Sequence, residues 1–101
     1  MSIKRHVDEK TNLVTISVGG RFDFAQHKAF RDAYRDLPAQ GTRYRVDLSE
    51  ATYLDSSALG MLLLLREHAG GDTARVSLRG CSDDVRRVLK IANFDRLFTL
   101  E

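Results

Sequence analysis

The chain has 101 residues, 43% hydrophobic and 30% charged, which predicts a single domain over residues 1–101 that needs no metal or disulfide to fold. Its 16 basic and 14 acidic residues leave a net charge of +2, and the scattered basic residues indicate no nucleic-acid partner. No apolar segment approaches the roughly 20 residues that span a bilayer, and no signal-peptide pattern is present. The single cysteine, Cys81, fits a reducing compartment, so we expect a cytoplasmic protein that does not associate with membranes.

The first half of the chain predicts a hairpin, a helix and a strand. Residues 3–7 and 13–18 have the composition of two short strands joined by a turn, and the second is expected to end at Gly19-Gly20. Apolar residues at near-helical spacing predict a first helix over 25–37. Apolar and polar residues then alternate over 44–49, which predicts a third strand.

Three small polar residues precede the most apolar helical segment. Asp55, Ser56 and Ser57 are all good N-cap residues, so they predict a helix that begins here. At about 100° per residue, one stripe of this helix is expected to face the core. The stripe consists of Ala58, Met61, Leu62, Leu65 and Ala69. Leu59, Leu63 and Leu64 fall on the flanks beside Gly60, which indicates a docking surface next to hydroxyl groups that can be modified.

The remaining sequence predicts a strand, a helix and a closing segment. Val76 and Leu78 mark the strand, and Ser82 is the expected N-cap of a third helix. The apolar residues of this region are expected to face inward: Val85, Val88, Leu89, Ile91, Phe94, Leu97, Phe98 and Leu100. The order of elements predicts an α/β fold with a mixed, mostly parallel sheet, an N-terminal hairpin and helices packed mainly on one side.

The residues that catalysis or metal binding would need are missing from the sequence pattern. His6, His27 and His68 lie far apart without metal-ligand spacing, so no metal or cofactor is expected. No glycine-rich phosphate loop and no Gly-x-Ser-x-Gly element is present, which argues against a nucleotide enzyme and a serine hydrolase. Ser56 therefore has the character of a substrate for modification. The alternative is that the serines only cap the helix and all the leucines are core.

Two segments resemble the bacterial anti-sigma factor antagonists of the STAS domain family. They are Val46-Asp47-Leu48 and Tyr53-Leu54-Asp55-Ser56-Ser57-Ala58-Leu59-Gly60, and Gly20-Arg21-Phe22-Asp23 is similar to the family's Gly-x-x-Asp element. The resemblance covers nearly the whole chain and implies a single STAS-like domain. Ala58 stands where the family often has glycine, which implies a firmer start to the helix.

The resemblance implies a function without catalysis. Ser56 is the implied phosphorylation site, and the implied partner-binding residues are Asp23, Asp55, Ser56, Ser57, Leu59, Gly60 and Leu63. The implied partners are an anti-sigma factor, a serine kinase that is either a separate protein or the anti-sigma factor itself, and a serine phosphatase. The free protein is expected to be a monomer. The alternatives are an unphosphorylated STAS scaffold or transport-complex subunit and, with less support, a nucleotide-binding domain that uses the Asp23 and Ser56 loops.

Overall fold

A five-stranded mixed sheet forms the frame of the structure, a computed structural model that describes residues 3–38 and 41–101. The strands are β1 (Ile3–Asp8), β2 (Leu13–Phe22), β3 (Arg43–Leu54), β4 (Val76–Arg79) and β5 (Thr99–Leu100), and they lie in sequence order across the sheet. β1 and β2 are antiparallel, whereas each later pair is parallel. The predicted hairpin and parallel sheet are therefore confirmed, including a short closing strand.

Two strands are longer than the sequence predicts. β2 does not end at Gly19-Gly20, because two register irregularities between Ser17 and Arg21 let it continue to Phe22. Gly20 has a φ of 72°, which suits glycine at such an irregularity. β3 continues to Leu54 because it stays paired with this extension. The Gly-x-x-Asp element thus begins within β2, and only Asp23 lies beyond the strand.

Three helices connect the strands: α1 (His27–Asp32), α2 (Ser56–His68) and α3 (Asp83–Ile91). α1 is much shorter than the predicted 25–37. A 3₁₀ turn at Phe24–Gln26 precedes it, and turns follow it. The Ala33 amide donates to the carbonyls of both Ala29 and Phe30, and the Tyr34 amide donates to the Arg31 carbonyl at 3.2 Å. The helix therefore ends in the shorter-range hydrogen bonds of a 3₁₀ turn.

The core lies on one face of the sheet. The even-numbered residues are buried on β2 up to Val18, on β3 up to Leu48 and on β4: Val14, Ile16, Val18, Tyr44, Val46, Leu48, Val76 and Leu78. Residues of all three helices belong to the same cluster, which confirms that the helices pack on one side. The opposite face, here called the open face, carries polar and charged residues that remain partly exposed: Thr15, Ser17, Arg45, Asp47 and Ser77.

The helices differ in how well the sequence predicts their buried faces. All five predicted stripe residues of α2 are buried, with exposed fractions of 6% or less. On α3 only Val85 and Leu89 are buried, whereas Ile91 is 76% exposed and Val88 is 38% exposed, so the expectation for these two was wrong. Ile91 stands about 200° around the helix from Leu89 and thus points away from the sheet. Leu97 is also 38% exposed, which corrects its assignment to the core.

Candidate functional site

The ends of β2 and β3 bring two loops to the same edge of the sheet. Phe22 is the register partner of Leu54, and these are the last residues of the two strands. Asp23 and Asp55 follow them directly, so each carboxylate begins the connection that leaves its strand. Both residues have extended backbone and cap the helical turn that comes next. The site is therefore built from equivalent positions of two parallel strands.

Asp55 is the N-cap of α2. Its Oδ1 accepts hydrogen bonds from Ala58 N at 3.0 Å and from Ser57 Oγ at 2.6 Å. Hydrogen bonds from the Ser57 hydroxyl and then from the Ala58 amide lower the pKa of the Asp55 carboxyl below its ordinary value, and the nearby Arg21 charge contributes less. A carboxylate at this position also faces the positive end of the helix dipole. Asp55 therefore stays ionised and fixes the start of α2.

Ser56 and Ser57 have different environments. Ser57 is partly buried, and its hydroxyl bonds Asp55. Ser56 is the first residue of α2 and is exposed to solvent. Within residues 3–38 and 41–101, its hydroxyl group makes no hydrogen bond. Of the three candidate caps, Asp55 is thus the cap, Ser57 supports it, and Ser56 presents an accessible hydroxyl group.

Asp23 combines a structural role with a position beside the α2 loop. Its Oδ1 accepts a hydrogen bond from Ala25 N at 3.1 Å, and its Oδ2 lies 3.4 Å from Arg21 Nε. The Arg21 guanidinium carbon lies 4.0 Å from the centre of the Tyr53 ring, which is a cation–π contact. Arg21 therefore connects the Asp23 loop to the end of β3, immediately before Asp55.

The flank of α2 presents apolar surface near Ser56. Leu63 is 38% exposed, Leu64 is 52% exposed, and Leu59 is partly buried against the core. Gly60 is exposed, and a Cβ built on it would meet no atom within 4 Å. The alternative that all the leucines are core residues is wrong for Leu63 and Leu64. A partner could thus approach the backbone of α2 closely at Gly60.

Three residues at this edge were missed by the sequence reasoning. Phe24 is 69% exposed, and its ring stacks on His27 with a centroid distance of 5.3 Å. Arg21 and Tyr53 form the cation–π pair described above. An aromatic residue directly after the Gly-x-x-Asp element was the available signal for Phe24. The Arg21–Tyr53 pair depends on the strand register, which the sequence pattern does not specify.

His68 and Cys81 have positions that fit structural roles. His68 ends α2, and its Nε2 lies 2.8 Å from the Leu37 carbonyl oxygen, so it contacts the segment after α1. Cys81 is only partly buried, and burial raises the pKa of its thiol. In the part of the chain that the structure describes, no three His, Cys, Asp or Glu side chains are grouped to hold a metal ion.

Comparison with known proteins identifies the family of this fold. The family described as "Mlab, STAS domain" matches residues 6–100. The chain belongs to the STAS domain family. A STAS-domain containing protein of Pseudomonas aeruginosa is 59% identical to it over 87 residues, which are 86% of each chain.

Solved structures of other proteins have a similar fold. An anti-sigma factor antagonist from Mycobacterium paratuberculosis matches with a TM-score of 0.78 and 25% identity, over 98% of this chain and 85% of that one. The phosphorylated form of the Bacillus cell fate determinant SpoIIAA matches with a TM-score of 0.72 and 17% identity, over 98% of this chain and 90% of that one. Among the described residues of the present STAS domain, no helix is long and apolar enough to cross a membrane.

Proposed function

We propose that this STAS domain is a phosphorylation-controlled antagonist of an anti-sigma factor or an equivalent regulator. The dephosphorylated domain binds this partner through the Asp23 loop and the first two turns of α2. A serine kinase phosphorylates Ser56, which weakens the complex, and a serine phosphatase restores it. The domain itself catalyses no step and contacts no nucleic acid. We place the switch in the cytoplasm, where transcription occurs and kinases find ATP, and expect the free protein to be a monomer.

The accessibility of the Ser56 hydroxyl is the observation that carries this proposal. Ser56 is exposed at the start of α2, whereas the neighbouring Ser57 hydroxyl is held by Asp55 at 2.6 Å. A kinase needs a hydroxyl that it can reach without breaking the cap, and of Ser56 and Ser57 only Ser56 meets that condition. The backbone amides and dipole of a helix N-terminus also tolerate the added phosphate.

The charge of a phosphate is large enough to release a partner. Two unit charges about 6 Å apart interact by about 0.7 kcal/mol in water and about 2.8 kcal/mol at an effective dielectric near 20. A phosphate with a charge of about −1.5 to −2 that faces one partner carboxylate costs roughly 1 to 5 kcal/mol. This corresponds to a loss of affinity between about fivefold and more than a thousandfold.

A pull-down from native cells tests both the site and the partner. Wild type, Ser56→Ala and Ser56→Asp are used as baits, and the bound proteins are identified by mass spectrometry. We expect Ser56→Ala to retain an anti-sigma factor or equivalent regulator, and Ser56→Asp to lose it. Identical partner sets for all three baits would contradict the proposal.

The main alternative is a constitutive STAS subunit of a scaffold or transport complex. Such a subunit needs no phosphate, because Asp55 and Ser57 complete the α2 cap by themselves. Intact mass of the protein from native cells distinguishes the two. A fraction heavier by one phosphate, absent in Ser56→Ala, supports the switch; a single unmodified mass under all growth conditions supports the subunit. Nucleotide titration of the purified domain addresses the remaining alternative, nucleotide binding at the Asp23 and Ser56 loops.

A further inference from the structure

A concave region of the open face lies where β3 and β4 begin, at the opposite end of the strands from Ser56. It has a volume of about 520 Å³ and spans the first residues of β3 and β4, together with β5 and the segment 95–98. We call it the basic trough and define it by Leu13, Arg43, Arg45, Arg75, Arg96 and Thr99. Its volume lies within the range of about 300 to 1,000 Å³ that is typical of small-molecule sites.

The strand register concentrates arginines in the basic trough. Arg45 is the register partner of Ser77, and Tyr44 N bonds the Arg75 carbonyl at 2.9 Å, so Arg43 and Arg75 lie at the starts of neighbouring strands. Neighbouring strands are about 4.8 Å apart, and like charges on adjacent strands destabilise a sheet. Arg96 adds a fourth guanidinium from the turn that precedes β5. The arrangement therefore has an electrostatic cost that a bound anion would remove.

Few carboxylates neutralise this cluster. Arg45 Nε lies 3.4 Å from Glu101 Oε2, and an Arg43 nitrogen donates to the Thr11 carbonyl oxygen at 3.2 Å. Among the residues that the structure describes, Arg75 and Arg96 form no ion pair. Asp95 and Glu101 are the carboxylates that line the basic trough, against four arginines.

We propose that the basic trough binds a small molecule that carries phosphate groups. Guanidinium groups bind phosphate oxygens through two parallel hydrogen bonds, and Arg43, Arg75 and Arg96 are placed to supply them from three separate segments. The Thr99 hydroxyl offers a further donor, while Leu13 and Leu97 line the same cavity and suit an organic part of the ligand. This site lies at the start of β3, at the opposite end of the strand from Ser56, so it is independent of the proposed phosphorylation.

NMR titration of the full chain with inorganic pyrophosphate tests this site. At constant ionic strength, we expect saturable shifts at Arg43, Arg75, Arg96 and Thr99 and none at Ser56. Citrate, a carboxylate of similar charge, should bind at least about tenfold more weakly, since the site is proposed to select phosphate. Shifts that do not saturate, shifts centred on Ser56, or equal affinity for citrate would overturn the proposal.

Matched variants separate specific binding from general charge effects. Arg75→Gln and Arg96→Gln should each weaken pyrophosphate binding about tenfold or more, the expected effect of losing a hydrogen bond between charged groups. The control is Arg87→Gln, which removes the same charge from an exposed position of α3, on the other side of the sheet. It should change the affinity less than twofold. All three arginines are exposed, and unchanged melting temperatures would verify folding. Equal losses in the three variants would show nonspecific attraction and reject the site.

Discussion

Ser57 donates its hydroxyl hydrogen to the Asp55 carboxylate across 2.6 Å, which links two side chains at the start of α2. The same carboxylate accepts a hydrogen bond from the Ala58 amide, so the side chains of Asp55 and Ser57 both serve to cap the helix. Ser56 lies between them in sequence but takes no part in this bonding. Asp55 and Ser57 therefore have a structural role, whereas the Ser56 hydroxyl is available for modification.

The first prediction concerns which serine is phosphorylated. Ser56→Ala should abolish phosphorylation in native cells, because the accessible hydroxyl is lost. Ser57→Ala should still be phosphorylated and should melt at a lower temperature, because Asp55 loses a hydrogen bond. Peptide mapping by mass spectrometry, together with thermal melting, measures both effects. Phosphate on Ser57 in the Ser56→Ala protein would refute the assignment.

The second prediction concerns Asp23. The asparagine side-chain oxygen can still accept the hydrogen bond from the Ala25 amide, so Asp23→Asn should leave the melting temperature close to that of wild type. The variant lacks the charge that faces Arg21, and we expect the phosphorylation rate or the partner affinity to fall about tenfold. Kinase assays and calorimetry measure these quantities. If neither changes, Asp23 serves only to begin the turn before α1.

The third prediction uses Gly60. A methyl group at this position would meet no atom within 4 Å, so Gly60→Ala should raise the free energy of unfolding by about 0.5 to 1 kcal/mol through helix propensity. The same methyl group would separate α2 from a closely packed partner, and we expect weaker binding. Glu67→Ala, on the same face but two turns farther from Ser56, is the control. A stabilised variant that binds the partner normally would remove Gly60 from the interface.

The fourth prediction concerns pH. Hydrogen bonds lower the pKa of Asp55 in the folded protein, so the folded form binds fewer protons than the unfolded form in acid. The resulting stabilisation is complete above the unfolded aspartate pKa of about 3.9 and is lost as the pH falls through the lower, folded value. Asp55→Asn should make the stability less dependent on pH in this range, which denaturant unfolding at several pH values would detect. An unchanged pH dependence would show that Asp55 does not contribute.

The fifth prediction is that phosphorylation changes the surface and leaves the backbone in place. The buried stripe of α2 and the His68 contact with Leu37 hold the helix along its length. Amide shifts on phosphorylation should therefore be confined to residues near Asp23 and Ser56. Large shifts across β4 and α3 would instead support a global conformational change as the cause of partner release.

The sequence predicted the order of elements well because each carries a local signal. Alternating residues mark the strands, and Ser82 and Asp55 are caps with direct chemical preferences. The extension of β2 past Gly19-Gly20 was missed, since a register irregularity depends on the partner strand. The exposure of Val88 and Ile91 was missed because hydrophobicity alone does not show which face of a short helix meets the sheet.

The candidate site was predictable in part for the same reasons. The proximity of Asp23 and Asp55 follows from parallel strands that end at one edge, and the structure places both at equivalent strand ends. The different roles of Ser56 and Ser57 depend on which way each side chain points once Asp55 caps the helix. Three adjacent polar residues in a sequence do not show this. The contact of Arg21 with Tyr53 likewise required the observed register.

The separation of buried and exposed residues on α2 has a consequence for how related domains diverge. The stripe that fixes the helix to the sheet shares no residue with the flank that carries Leu63 and Leu64. Substitutions on the flank can therefore alter the choice of partner at little cost in folding free energy. If the flank binds the partner as proposed, domains of this fold can thereby differ in partner while they keep the same framework.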